Sequence, residues 1–222
     1  MSSQIYDFQK PHRVDWINVF EPKPHKMDPT KLSYQVDWIL ERDDPEYVSL
    51  HTIALQMLQA VAEEHGLTVD KKLIGKAGGP FWPFFAGDKL IADANRKALA
   101  AGKKPYDNAH MAGKIILKTK SYALAGPVLS TFAGGKWIDH DNNNKGLTSS
   151  FYRGMIAYGT VVIAPFYASE RSWGVTAYVN GVGAAGGQRI GGPVSHSDKY
   201  GIPPMVEGTV SEFDPTDDEI PF

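Results

Sequence analysis

Apolar and polar positions alternate with a period of two through much of this chain, and with a period near 3.6 in one stretch. Residues 14–20 predict a strand, with Trp16 and Asn18 alternating against Ile17 and Val19. A Pro-rich turn is expected over 21–29, and a second strand over 32–40. A helix follows: Asp43 and Asp44 offer caps, Pro45 suits the first turn and Gly66 ends it. Along it Tyr47, Leu50, Ile53, Ala54, Met57, Leu58 and Val61 form one apolar face, which reads as core packing. Residues 75–88 read as an aromatic loop carrying Phe81, Trp82, Phe84 and Phe85, and 92–101 as a short helix bearing Arg96. Further strands are expected over 113–121, 154–166 and 173–182. Five strands, one main helix and turn-rich connections predict a mainly β fold, a small barrel or sandwich with insertions.

Composition narrows the chemistry. The chain has 222 residues, 42% apolar and 11% aromatic, with 22 Gly, 15 Pro and no Cys. Disulfides, thiol nucleophiles and thiolate-held zinc are therefore excluded, and a reducing cytoplasm fits. Residues 1–11 are polar, unlike a signal peptide. The longest apolar stretch, 155–168, is interrupted by Gly159 and Pro165 and is too short to span a bilayer. No membrane partner is expected.

Charge divides the chain. From Glu207 onward there are six acids and no Lys or Arg. The preceding body holds 23 bases against 19 acids, a net of +4. We therefore expect a globular domain over 1–206 and a disordered acidic tail over 207–222. A mildly basic body suits a polyanion partner, although a net charge of this size is also ordinary for a domain of this length.

Enzymatic motifs fail when their structural requirements are applied. Gly181, Gly183 and Gly186 satisfy Gly-x-Gly-x-x-Gly after a strand, but Gly187, Gly191, Gly192 and Pro193 forbid the helix that a dinucleotide site needs. A flexible Gly-rich loop is expected there. Asp139 to Asn143 begins like a calcium loop, yet Asn144 stands where Gly is required and Ser150 where a bidentate Glu is required. A polar turn is the better reading. The seven His are scattered, so no metal, cofactor or catalytic residue is predicted.

Cations and aromatic rings do share strands. On 113–121, Lys114, Lys118 and Lys120 share one face with Ile116, while Ile115 and Leu117 take the other. Lysines in register suit a phosphate backbone; they equally suit a solvated face or a guarded sheet edge. Tyr122, Arg153, Tyr158, Arg171 and Trp173 extend the candidate DNA-binding set. Rings beside cations are what non-sequence-specific binding of single strands requires, because every base has a face to stack.

The chain stops on Asp217, Asp218, Glu219, Ile220, Pro221 and Phe222. This acidic run before Ile-Pro-Phe resembles the C-terminal tip of bacterial single-stranded DNA-binding proteins. Three further pieces extend the likeness: 13–23, with its Pro-rich end; Gly113 to Lys118; and Gly174 to Asn180, followed by Gly191 and Gly192. With them the chain resembles the single-stranded DNA-binding proteins of tailed bacteriophages. The resemblance implies an OB-fold-like five-stranded barrel acting in phage DNA replication, recombination and repair, in the cytoplasm of an infected host. The helix, following the second strand, is early for a minimal OB barrel. The resemblance also implies that Asp217 to Phe222 bind phage or host replication and repair proteins, with Phe222 and Pro221 as anchor, and that the tail competes with DNA for the basic body. A homodimer is left open. The rival readings are an adaptor or inhibitor that docks host proteins without touching DNA, and a β-rich enzyme.

Overall fold

A computed structural model of the chain describes residues 2–25, 28–105, 108–122, 126–140, 144–187 and 190. They belong to a compact unit, Met1–Ile190. The expected boundary at 206/207 and the whole acidic tail lie outside the described residues. Among the described residues no helix is long and apolar enough to cross a membrane.

Among the described residues, nine strands and two α-helices occur in the order β1 (Gln4–Asp7), β2 (His12–His25), β3 (Asp28–Leu40), α1 (Pro45–Glu64), β4 (Phe84–Ala86), α2 (Gly87–Ala100), β5 (Ile115–Ser121), β6 (Val128–Ala133), β7 (Lys136–His140), β8 (Met155–Ser169) and β9 (Ser172–Gly187). Five of the strands close on themselves. β2 pairs with β3, β3 with β5, β9 with β8 and β8 with β2, all antiparallel, while β5 and β9 pair in parallel. This ring-like sheet is OB-like. β1 and the β6–β7 hairpin are added outside the ring, on β8 and β9 respectively.

The alternation in the sequence explains the interior. Val36, Trp38 and Leu40 of β3 point inward with Leu117 of β5, Val161 and Ile163 of β8, and Val175 and Val179 of β9. α1 lays Leu50, Ala54, Met57, Leu58 and Val61 on this core. Its start is fixed by Asp44, whose side chain accepts from the Glu46 N–H at 3.0 Å. Its end is a Schellman turn: Gly66 has φ +65°, and the Leu67 N–H reaches the Ala62 carbonyl at 2.8 Å.

Several elements differ from the sequence expectations. The Pro-rich segment 21–29 is not simply a turn: β2 runs on to His25 and β3 starts at Asp28. Pro22 falls inside a slip of the β2–β3 register, between Asn18 and Lys23, and Pro24 pairs with Leu32 directly before a second slip. The Gly-rich stretch 181–187 is strand, the end of β9, paired to both β6 and β8. A Cβ on Gly183 would lie 2.9 Å from the Trp137 ring, so glycine serves close packing here, not a loop. α2 begins five residues before the expected 92–101 helix. The β6–β7 hairpin was unanticipated, although its turn, Gly134 and Gly135 at φ +58° and +77°, is a known hairpin signal.

Candidate nucleic-acid interface

The outer face of β5 carries Lys118 and Lys120, both half-buried, while Ile115 and Leu117 turn into the core. Lys120 lies beside Tyr178 in the parallel pairing that closes the ring. Tyr122, 47% exposed, continues the strand, and its ring meets Tyr178 edge-on at 6.3 Å. β4 places Phe85 next to this pair, so that the Lys118 ammonium stands 5.4 Å from the Phe85 ring centroid. The aromatic loop before β4 is pinned to β9: the Phe81 N–H donates to the Trp173 carbonyl at 2.9 Å, and the Val175 N–H donates to the Phe81 carbonyl at 3.1 Å. That leaves the Phe81 ring 55% exposed, with Phe166 5.4 Å away.

These groups line a groove of about 1050 Å³. The β2–β3 hairpin contributes Pro22, Thr30, Lys31 and Leu32 to it, and the β8–β9 hairpin contributes Phe166 and Ser172. Asp37 of β3 pairs in register with Lys118 and is 5% exposed. Burial pushes its carboxyl up to about 6, although Lys118, 3.8 Å away, and the Gln35 amide both oppose this. Burial also holds the Lys120 ammonium below the ordinary lysine range. The groove therefore offers stacking faces and two closely spaced cations above one buried carboxylate.

A second cleft, about 480 Å³, lies further along β9 at Asn180 to Gly183. Trp137 and Tyr158 form aromatic walls, their rings 5.7 Å apart at 81°. Its charged lining groups are Asp7 and Asp139.

The structure thus brings Lys118, Lys120 and Tyr122 into one groove. Lys114 lies directly before β5, not on it, and is ion-paired to Glu41 at 2.7 Å. Arg153 is held by Asp15 at 2.9 Å and Asn108 at 2.8 Å, outside the groove lining. Burial raises the Asp15 carboxyl, but hydrogen bonds from His110 and Arg153 outweigh it and keep the carboxyl below its usual range. Tyr158 lines the acidic cleft. Arg171 is exposed at the β8–β9 turn, next to Ser172 of the groove. Trp173 is only 6% exposed and packs in the core. Asp217 to Phe222 lie outside the described residues. The groove residues Lys31, Phe81, Phe85, Phe166 and Tyr178 were missing from the candidate set. Tyr178 was reachable by strand alternation; Phe81 was visible only as part of an aromatic loop.

His12, Asp44 and Glu46 form a buried group with metal-ligating atoms within 4.8 Å of one another. Each is already engaged: His12 Nε2 lies 2.7 Å from Glu46, Asp44 accepts from Lys10 at 2.9 Å, and Glu46 accepts from the Gln9 N–H. The cluster ties the start of β2 to the N-terminus of α1.

No protein-family model and no curated protein matches the chain in sequence. Solved structures do match. The single-stranded DNA-binding protein of bacteriophage Enc34 in complex with ssDNA superposes with a TM-score of 0.55 at 12% identity, over 86% of this chain and 90% of that one. This chain has the fold of the Enc34 protein. A second structure of the Enc34 protein gives a TM-score of 0.52 at 13% identity, over 90% of each chain. A C-terminal truncation of the Enc34 protein gives 0.52 at 11% identity, over 85% of this chain and 88% of that one. The likeness to Enc34 extends over most of both chains, not a local motif. The expected phage-type OB-like architecture is therefore the one observed.

Proposed function

We propose that this chain binds single-stranded DNA in the Lys118/Lys120 groove, without sequence preference and without covalent chemistry. The observation that carries this reading is the placement of the groove. It lies on the face of the second and third ring strands, β3 and β5, between the hairpin joining ring strands one and two and the hairpin joining four and five. OB-folds bind oligonucleotides at that face and with those hairpins. Lys118, Lys120 and Lys31 meet phosphates; Phe81, Tyr122 and Tyr178 stack on bases. Lys114 and Arg171 flank this path, whereas Arg153 and Trp173 serve the fold and Tyr158 serves the cleft. The Enc34 protein's complex with ssDNA supports the same reading.

The biological setting is phage DNA replication, recombination and repair in an infected cell's cytoplasm. The acidic segment 207–222 recruits partner proteins through Asp217, Asp218, Glu219, Ile220, Pro221 and Phe222, and competes with DNA for the groove; the charge split of the sequence supports both roles. The test is a poly(dT) titration at low salt, read by tryptophan fluorescence, since Trp82 lines the groove. Quenching that is reversed by salt is expected. Absent quenching and an absent gel shift would remove the DNA reading and leave a tail-bearing adaptor. Deleting 207–222 should tighten DNA binding and abolish partner capture; unchanged DNA affinity would overturn the competition.

A further inference from the structure

Beneath the groove lies a charge that DNA binding does not need. Asp37 sits on β3 directly across from Lys118 of β5. Its Oδ1 accepts from the Gln35 amide at 2.9 Å, and its Oδ2 stands 3.8 Å from the Lys118 ammonium. That distance is long for a charge-assisted hydrogen bond, which closes to about 2.8 Å. Lys118 is at the same time poised at the Phe85 ring. Lys120, two residues on and on the same face, supplies the second cation acting on Asp37. From the β2 side Asp15 adds a like charge, itself paired with Arg153 and hydrogen-bonded to His110. The carboxylate is therefore compensated first by the Lys118 ammonium and then by the Gln35 amide, with Lys120 adding a smaller share, so both cations that act on it also face the groove.

We propose that Asp37 is a built-in anionic competitor for these two lysines, so that single-stranded DNA binding is coupled to loss of its charge. This rests on the groove being the DNA site. A phosphate that draws Lys118 and Lys120 outward leaves a buried carboxylate with less compensation and faces it across a short distance. Protonation removes both costs. DNA stabilises the protonated form, so binding takes up a proton, and affinity rises as pH falls toward about 6 and levels off below it. Asn at this position presents the same shape without charge and keeps a hydrogen-bonding partner for Gln35. The device differs in kind from an acidic tail, because it is fixed in the groove and responds to pH more than to salt.

The experiment titrates the full chain and Asp37→Asn with oligo(dT), whose bases do not ionise in this range, from pH 8 to pH 5.5 at constant ionic strength. Wild-type affinity should rise roughly three- to tenfold over that interval. Asp37→Asn should bind at pH 8 about as tightly as wild type at pH 5.5, and lose most of the pH slope. An unchanged or weaker affinity with an unchanged slope overturns the proposal. Wild type that fails to bind oligo(dT) at every pH overturns instead the reading of the groove. A residue-specific readout covers a variant that folds poorly: in isotope-labelled wild type, the titration midpoint of the Asp37 carboxyl should move up when oligo(dT) is added. A midpoint that stays in place contradicts the coupling.

Discussion

Two depressions follow one another along β9, and both are lined by aromatic rings. The groove at Val175 to Tyr178 gathers Phe81, Phe85, Tyr122 and Tyr178 with Lys31, Lys118 and Lys120. The cleft at Asn180 to Gly183 gathers Trp137 and Tyr158 with Asp7 and Asp139. Ring content alone would make them equal candidates for stacking bases. Charge separates them, because each nucleotide stacked also brings a phosphate that must be met. The groove meets it with ammonium groups, and the cleft opposes it with carboxylates. An aromatic patch reads as a nucleic-acid site only where the cations lie beside it in space.

The strongest way to break this comparison is to reverse the groove's charge. Lys118→Glu with Lys120→Glu should weaken oligo(dT) binding by about 100-fold or more at low salt, measured by fluorescence titration. Asp7→Asn with Asp139→Asn should change it by less than about twofold. A similar loss from both pairs would erase the distinction.

Removing rings probes the same contrast at smaller amplitude. Phe81→Ala or Tyr178→Ala should each cost about tenfold in oligo(dT) affinity, within the range of roughly 1–3 kcal/mol per stacked base. Trp137→Ala should leave that affinity within about twofold of wild type. If Trp137 cost as much as Phe81, DNA would extend into the cleft.

Stability offers a third test. Because Asp37 titrates near 6 in the folded chain, its stabilising protonated form is lost as pH rises from the usual aspartate range through that value. Denaturant unfolding should therefore find Asp37→Asn more stable than wild type at pH 8, by on the order of 2 kcal/mol, with the gain vanishing toward pH 4. Equal stabilities at pH 8 would mean that Lys118 and Lys120 already compensate the charge.

The smallest expected effect belongs to the cleft. A Cβ at Gly183 would press on the Trp137 ring at 2.9 Å. Gly183→Ala should shift tryptophan emission and cost about 1 kcal/mol of stability, while oligo(dT) affinity stays unchanged. A loss of DNA binding would couple the two depressions.

Much of the ring was legible in the residues because alternation marks β3, β5, β8 and β9 and caps mark α1. The lysine face of 113–121 was legible for the same reason. Trp173 could have been set aside on that logic, since it shares its parity on β9 with Val175, Ala177 and Val179, which are all buried. Arg153 could not, because its partner Asp15 lies 138 residues away in sequence. The groove's far wall was equally hidden. Phe81 is delivered by a single bridge to Gly174, and Tyr178 meets Lys120 only where the ring closes in parallel. Long-range pairings of this kind leave no local pattern, so the strands could be read while the face they jointly build could not.

The most direct test of the groove is the salt dependence of oligo(dT) binding, compared between the intact chain and Lys118→Gln with Lys120→Gln. Each phosphate contact on a single strand contributes about 0.7 to the slope of log K against log salt. Loss of two contacts should flatten the slope by about 1.4, along with a drop in affinity at low salt. An unchanged slope and an unchanged affinity would contradict the assignment of the groove as the DNA-binding site.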